Sequence, residues 1–171
     1  MSDKEYYLIL PLLLYGLAIS DLVNSWKRFF FADRRYWPYI VTSILLLEAA
    51  FWNFFRMKEW MTESAFESYL SYSRFIITPL VFIVTVAIFT PDEGTEDTEN
   101  YFKKHMGLIF GSLGVFVALH FLFVNPQKME LTELAGRLVM IALLITTAAL
   151  KRPALVYLLL AMRGLAYFWL N

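Results

Sequence analysis

The chain has 171 residues, of which 59% are hydrophobic, 18% aromatic and only 18% charged. A soluble domain is about 45–50% apolar and about 25% charged, so this chain carries more apolar surface than a domain of its size can bury, and a phospholipid bilayer is the solvent it calls for. Fifteen Lys and Arg balance fifteen Asp and Glu, and cysteine is absent, which excludes a nucleic-acid partner, a disulfide scaffold, a disordered tail and a thiolate metal site.

A membrane helix needs about 17–25 mostly apolar residues. Six segments meet or approach that length: 7–23, 38–55, 69–89, 106–124, 134–150 and 154–170. The expected fold is therefore an all-α polytopic bundle of about six transmembrane helices forming a single domain over 1–171. The first segment contains a small-x-small pair, Ala18 and Ser20, but Met1-Ser2-Asp3-Lys4-Glu5 lacks the positive charge of a signal peptide, so retention is expected. The loop that follows mixes cations with aromatics: Trp26, Lys27 and Arg28, then Arg34 and Arg35. It reads either as a cytoplasmic docking face or as an aromatic belt with basic anchors.

The loop at 60–67 has spacing compatible with a short amphipathic surface helix. The third segment contains Arg74 and Pro79, which weaken its helical pattern. The acidic, turn-rich stretch at 91–99 reads as a solvated loop, with Thr95, Asp97 or Thr98 available to cap the next helix. Gly107 and Gly111 in the fourth segment form a G-x-x-x-G pair, a small-residue pattern suited to close helix contact and to an oligomer interface. Segments five and six are separated by Lys151-Arg152-Pro153, and a continuous helix would place two cations in hydrocarbon, so a tight helical hairpin is expected.

Lys27, Arg28, Arg34, Arg35, Lys103, Lys104, Lys151 and Arg152 lie on the side of the first, third and fifth loops; Lys4, Arg56, Lys58 and Lys128 lie on the other. The positive-inside rule then makes the former side cytoplasmic and leaves both termini outside.

Ionisable residues within spans are costly and need partners. At about 1.5 Å per residue, Glu48 lies about 16 Å past Trp37, and Arg163 about 15 Å past Pro153 from the same side. Their matching depth predicts an intramembrane ion pair between the second and sixth spans. Arg74, His120 and Arg137 all fall about 20–22 Å from that side, in a layer with no acid and with Asn53 as the nearest polar companion. Converging, they form an anion or lipid-headgroup site; otherwise the arginines snorkel from helix ends and His120 is a hydrogen-bonded core residue.

His105 and His120 are about 22 Å apart along one helix, which excludes a bis-histidine haem within one chain. No lysine lies within a span to hold retinal, and nucleophile-elbow, zincin and phosphate-loop motifs are absent. No cofactor and no metal are expected, and nothing in the spacing of Ser, His and Asp recommends an enzymatic activity.

The run Gly16-Leu17-Ala18-Ile19-Ser20-Asp21-Leu22 with its basic-aromatic loop, followed by Phe89-Thr90-Pro91, the acidic stretch and Tyr101-Phe102, resembles a broad group of small bacterial multi-pass inner-membrane proteins. The likeness covers mainly spans one to four and implies a bacterial inner-membrane location without supplying an activity. Two functions of different class follow. One is a non-enzymatic oligomeric sensor or anchoring subunit, in stress response or antiviral defence, that docks a membrane or cytosolic protein. The other is a small channel or transporter that recognises an anion or lipid headgroup through Arg74, His120 and Arg137.

Overall fold

A computed structural model describes residues 3–27, 35–60, 68–91, 97–122 and 130–169. Six α-helices occupy them: α1 Asp3–Ser25, α2 Trp37–Trp60, α3 Tyr69–Phe89, α4 Thr98–Leu119, α5 Leu131–Leu150 and α6 Ala154–Trp169. A 3-10 turn, His120–Leu122, extends α4, and no strand occurs among the described residues. Helices α1 to α5 are long and apolar enough to cross a membrane, which makes this an all-α helical membrane protein. The sixth helix is shorter, with 16 residues rising about 24 Å against a hydrocarbon core of about 30 Å.

Helices α4 and α5 begin earlier than their apolar runs. The Asp97 side chain accepts from the Asn100 N–H at 3.0 Å, and Lys103 reaches back to Glu99 at 2.6 Å, so the polar stretch from Thr98 is already helical. Helix α5 starts at Leu131 and so brings Glu133 into its first turn. Pro79 does not break α3, which runs on to Phe89. The amphipathic stretch expected at 60–67 lies outside the described residues apart from Trp60, which ends α2.

The principal helix contacts close a ring in the order α1, α3, α4, α5, α6, α2, with α2 also touching α4 across the middle. Two compartments result. The one between α1, α2, α3 and α4 is filled by aromatic rings: Tyr15 and Phe116 flank Phe82 at 5.4 and 5.0 Å, and Tyr39 stacks on Phe89 at 4.3 Å. All five rings are buried.

Polar links across helices follow backbone chemistry. Pro11 has no N–H for the Tyr7 carbonyl one turn earlier, and the Tyr72 hydroxyl of α3 donates to that carbonyl at 3.2 Å. Near the C-terminal end of α3, where carbonyls lose helical partners, the Tyr101 hydroxyl of α4 donates to Ile88 O at 2.9 Å.

Helices α5 and α6 are joined through Lys151, Arg152 and Pro153, with Lys151 left-handed (φ 50°, ψ 36°) and its N–H donating to Thr147 O at 3.0 Å. A non-glycine residue there costs about 1 kcal/mol. The αL turn closes the C-terminus of α5, and Pro153 precedes α6 with a fixed φ that suits a helix start. Two of the three glycines of α4, Gly107 and Gly114, pack within this same chain. A Cβ on Gly107 would meet Lys151 Cε at 3.2 Å and the Ala148 carbonyl at 3.3 Å, and one on Gly114 would meet Leu144 Cβ at 3.7 Å. Of the G-x-x-x-G pair read as an oligomer contact, Gly107 therefore lies against α5, while a Cβ on Gly111 would meet nothing within 4 Å. Gly107→Leu should part α4 from α5 and lower the unfolding midpoint in detergent, whereas Gly111→Leu should leave it nearly unchanged.

Candidate functional site

The second compartment, between α2, α4, α5 and α6, holds the ionisable side chains. Glu48, Trp52 and Arg56 recur on α2 at four-residue spacing and share one face, with Asn53 beside them. Arg163 of α6 meets Glu48 through a fork: Nε donates to Oε2 at 2.8 Å and Nη2 to Oε1 at 2.5 Å. The pair joins residues 115 positions apart in sequence and ties α6 to α2. The Arg163 guanidinium also lies 5.5 Å from the Trp52 ring centroid, and Arg56 lies at the same distance from that ring.

His120 is buried beyond the end of α4. Trp52 and Phe116 approach its ring edge-on, at 5.7 and 5.0 Å. Its Nδ1 lies 3.0 Å from the Val117 carbonyl oxygen and its Nε2 lies 2.6 Å from Asn53 Oδ1, while Asn53 Nδ2 donates to Ala49 O at 2.9 Å. The guanidinium charges that bear on this ring belong to Arg137 and Arg163.

Two sequence expectations are corrected here. Arg137 does have an acid in its layer: its Nη2 donates to Glu133 Oε1 at 2.7 Å, because the earlier start of α5 places Glu133 one helical turn before it. Its other terminal nitrogen, Nη1, is buried with no hydrogen-bond partner among the described residues. Arg74, grouped with His120 and Arg137 by depth, is exposed on α3, and α4 packs between α3 and α5. Equal depth did not mean a shared face.

The opposite end of the bundle gathers the first, third and fifth connections. Lys27, Arg35, Lys103, Lys104, Lys151 and Arg152 are exposed there, while Arg28 and Arg34 lie outside the described residues. Trp26, expected within a docking loop, is half-buried and donates from Nε1 to Ser43 Oγ of α2 at 2.8 Å, so it fastens the end of α1 to α2. Beside this end, the Tyr36 ring packs edge-on to Phe102 at 5.7 Å. Burial pushes its phenol above the ordinary value, with the Lys103 charge opposing.

Trp52 and Glu133 carry much of this arrangement and were not singled out in the sequence. The signal for each was local: Glu48-Trp52-Arg56 and Glu133-Arg137 both follow the four-residue spacing of a helix face. Comparison of the chain with protein-family models, with curated proteins and with solved structures found no match.

Proposed function

We propose that the chain is a non-enzymatic membrane subunit, an anchor or sensor that acts as an oligomer or with a membrane or cytosolic protein partner. In this reading it sits in a bacterial inner membrane with both termini outside and presents its basic-aromatic and acidic loops to the cytoplasm. The segregation of charge supports it: Glu48 and Arg163 join two helices, Glu133 and Arg137 pair within one, and the exposed cations Lys27, Arg35, Lys104, Lys151 and Arg152 gather at one end beside the Lys103–Glu99 pair. The paired charges serve cohesion. The exposed charges at that end, basic at Lys27, Arg35, Lys104, Lys151 and Arg152 and acidic at Asp97 and Glu99, offer a partner a mixed docking face, and the positive-inside bias favours the cytoplasmic side.

Purification of the full-length protein in mild detergent tests this. A bound partner or homo-oligomer is expected with the wild type and should be released by high salt and by the combined Lys27→Glu, Arg35→Glu and Lys151→Glu variant. Recovery of a bare monomer from the wild type, or retention of the same complex by the variant, would sink the reading.

A second function, recognition of an anion or lipid headgroup, has one observation in its favour: Arg137 Nη1 is a buried cationic donor without an acceptor among the described residues. Such a donor is costly unless something satisfies it.

A further inference from the structure

Two of the membrane-length helices are covered least by the rest of the bundle. Helix α5 buries 11% of its span and α1 28%, against 39–44% in α2 to α4. Their outer faces differ in chemistry. On α5 the exposed Thr146 hydroxyl donates to the Ala142 carbonyl of its own helix at 2.7 Å, so that face meets lipid with its polar group satisfied. On α1 the side chains of the exposed Ser20, Asp21 and Asn24 have no hydrogen-bond or ion-pair partner among the described residues. The hydroxyls of Thr42, Thr85, Ser112 and Thr147 return to carbonyls of their own helices as Thr146 does, and that of Ser20 does not.

The position of Asp21 makes this costly. It lies four residues inside the Ser25 end of α1, or about 6 Å. Side chains on a helix lean toward its N-terminus, so this short carboxylate leans into the bilayer and cannot snorkel outward as a lysine does. The C-terminal end of a helix dipole also disfavours an anion. Lys27, the nearest described cation along α1, is six residues on, not at the three- or four-residue spacing that brings side chains together. A carboxylate, a hydroxyl and an amide in one lipid-facing layer call for a protein partner that carries both donors and acceptors.

The rest of that face identifies the partner. Leu10, Leu13, Leu17, Ser20, Asn24 and Lys27 are all exposed and recur at alternating three- and four-residue intervals, the seam spacing of two parallel helices. Tyr15, Ala18, Leu22 and Ser25, which α1 buries in its own bundle, lie on the opposite face. Gly16 flanks the seam with nothing within 4 Å of where a Cβ would stand, so a second helix can approach closely there. Resting on the oligomer in the reading above, we propose that α1 is the interface of a parallel homodimer whose two-fold axis runs along the membrane normal. Leu10, Leu13 and Leu17 pack across it. Each Ser20 enters the hole framed by Leu17, Ser20, Asp21 and Asn24 of the second copy, so its hydroxyl faces the Asp21 carboxylate, and the two Asn24 amides meet across the axis. Lys27 ends the seam at headgroup level. Lys27→Glu adds two carboxylates near the two of Asp21 and so weakens this same dimer.

The chain has no cysteine, so single introduced cysteines report contacts directly. The full-length protein is oxidised with copper phenanthroline in vesicles of phosphatidylethanolamine and phosphatidylglycerol at high lipid dilution. Leu13→Cys and Leu17→Cys should give disulfide-linked dimers, whereas Leu12→Cys, exposed but off the seam, and Ala142→Cys, on the outer face of α5, should stay monomeric. Energy transfer between fluorescently labelled copies, followed as lipid is added, gives the dissociation constant. Asp21→Leu, and Ser20→Ala combined with Asn24→Ala, should each raise it about tenfold, and Asp21→Asn, which keeps an acceptor, should largely restore it. All three positions are exposed, so helix content and the unfolding midpoint of the monomer should hold. A dimer cross-linked through Ala142 instead, or one that Asp21→Leu leaves equally tight, overturns the α1 seam and leaves the membrane-subunit reading standing. So does a folded wild type that is monomeric at every dilution yet retains a different protein in mild detergent. A monomer that retains no protein overturns both.

Discussion

Glu48→Gln should destabilise the bundle by about 3 kcal/mol, because it strands the Arg163 guanidinium in an apolar layer. Arg163→Gln should cost a similar amount. Combined, the two should cost less than their sum by about 2 kcal/mol, since the pair is then absent and no lone charge remains. The measure is reversible unfolding in mixed micelles for all four proteins, at matched detergent composition. Additive losses would show that the fork at 2.8 and 2.5 Å carries no coupling. Arg163 also lies over Trp52, so Trp52→Leu should lower the stability of the wild type more than that of Arg163→Gln.

The other large effect belongs to the aromatic compartment. Phe82→Ala should cost about 3 kcal/mol, near the low end for loss of a buried phenylalanine. The ring is fully buried between Tyr15 and Phe116. Lipid chains are as apolar as the protein interior, so transfer to a bilayer contributes little to helix association. What is lost is contact across a cavity that its rigid neighbours do not fill. Phe55, 75% exposed on α2, provides the control: Phe55→Ala should change stability by less than about 0.5 kcal/mol. Equal losses at the two positions would mean that this compartment is not the packed core.

Much of the architecture was legible because it is written locally. Apolar runs marked the membrane-length helices, and Lys151-Arg152-Pro153 marked the turn between the last two. Where boundaries moved, the cause was capping and charge spacing beyond the apolar run: Asp97 extended α4 at its start, and α5 gained Glu133. Depth along each span also brought out Glu48 and Arg163 as companions, since opposed helices share one ruler. The same ruler grouped Arg74 with His120 and Arg137, although it contains no information about the direction a side chain faces.

The amino-acid sequence by itself determined the solvent of this protein, its helical class and the depth of each charge, because hydropathy and rise per residue are properties of a single segment. The tertiary structure decided which charges meet. Helix rotation and the ring-like order of packing placed Trp52 between Arg56, Arg163 and His120, set Gly107 against α5 within the same chain, and put α4 between Arg74 and Arg137. Those relations arise between segments, where close packing selects one azimuth for each helix and sequence spacing alone selects none.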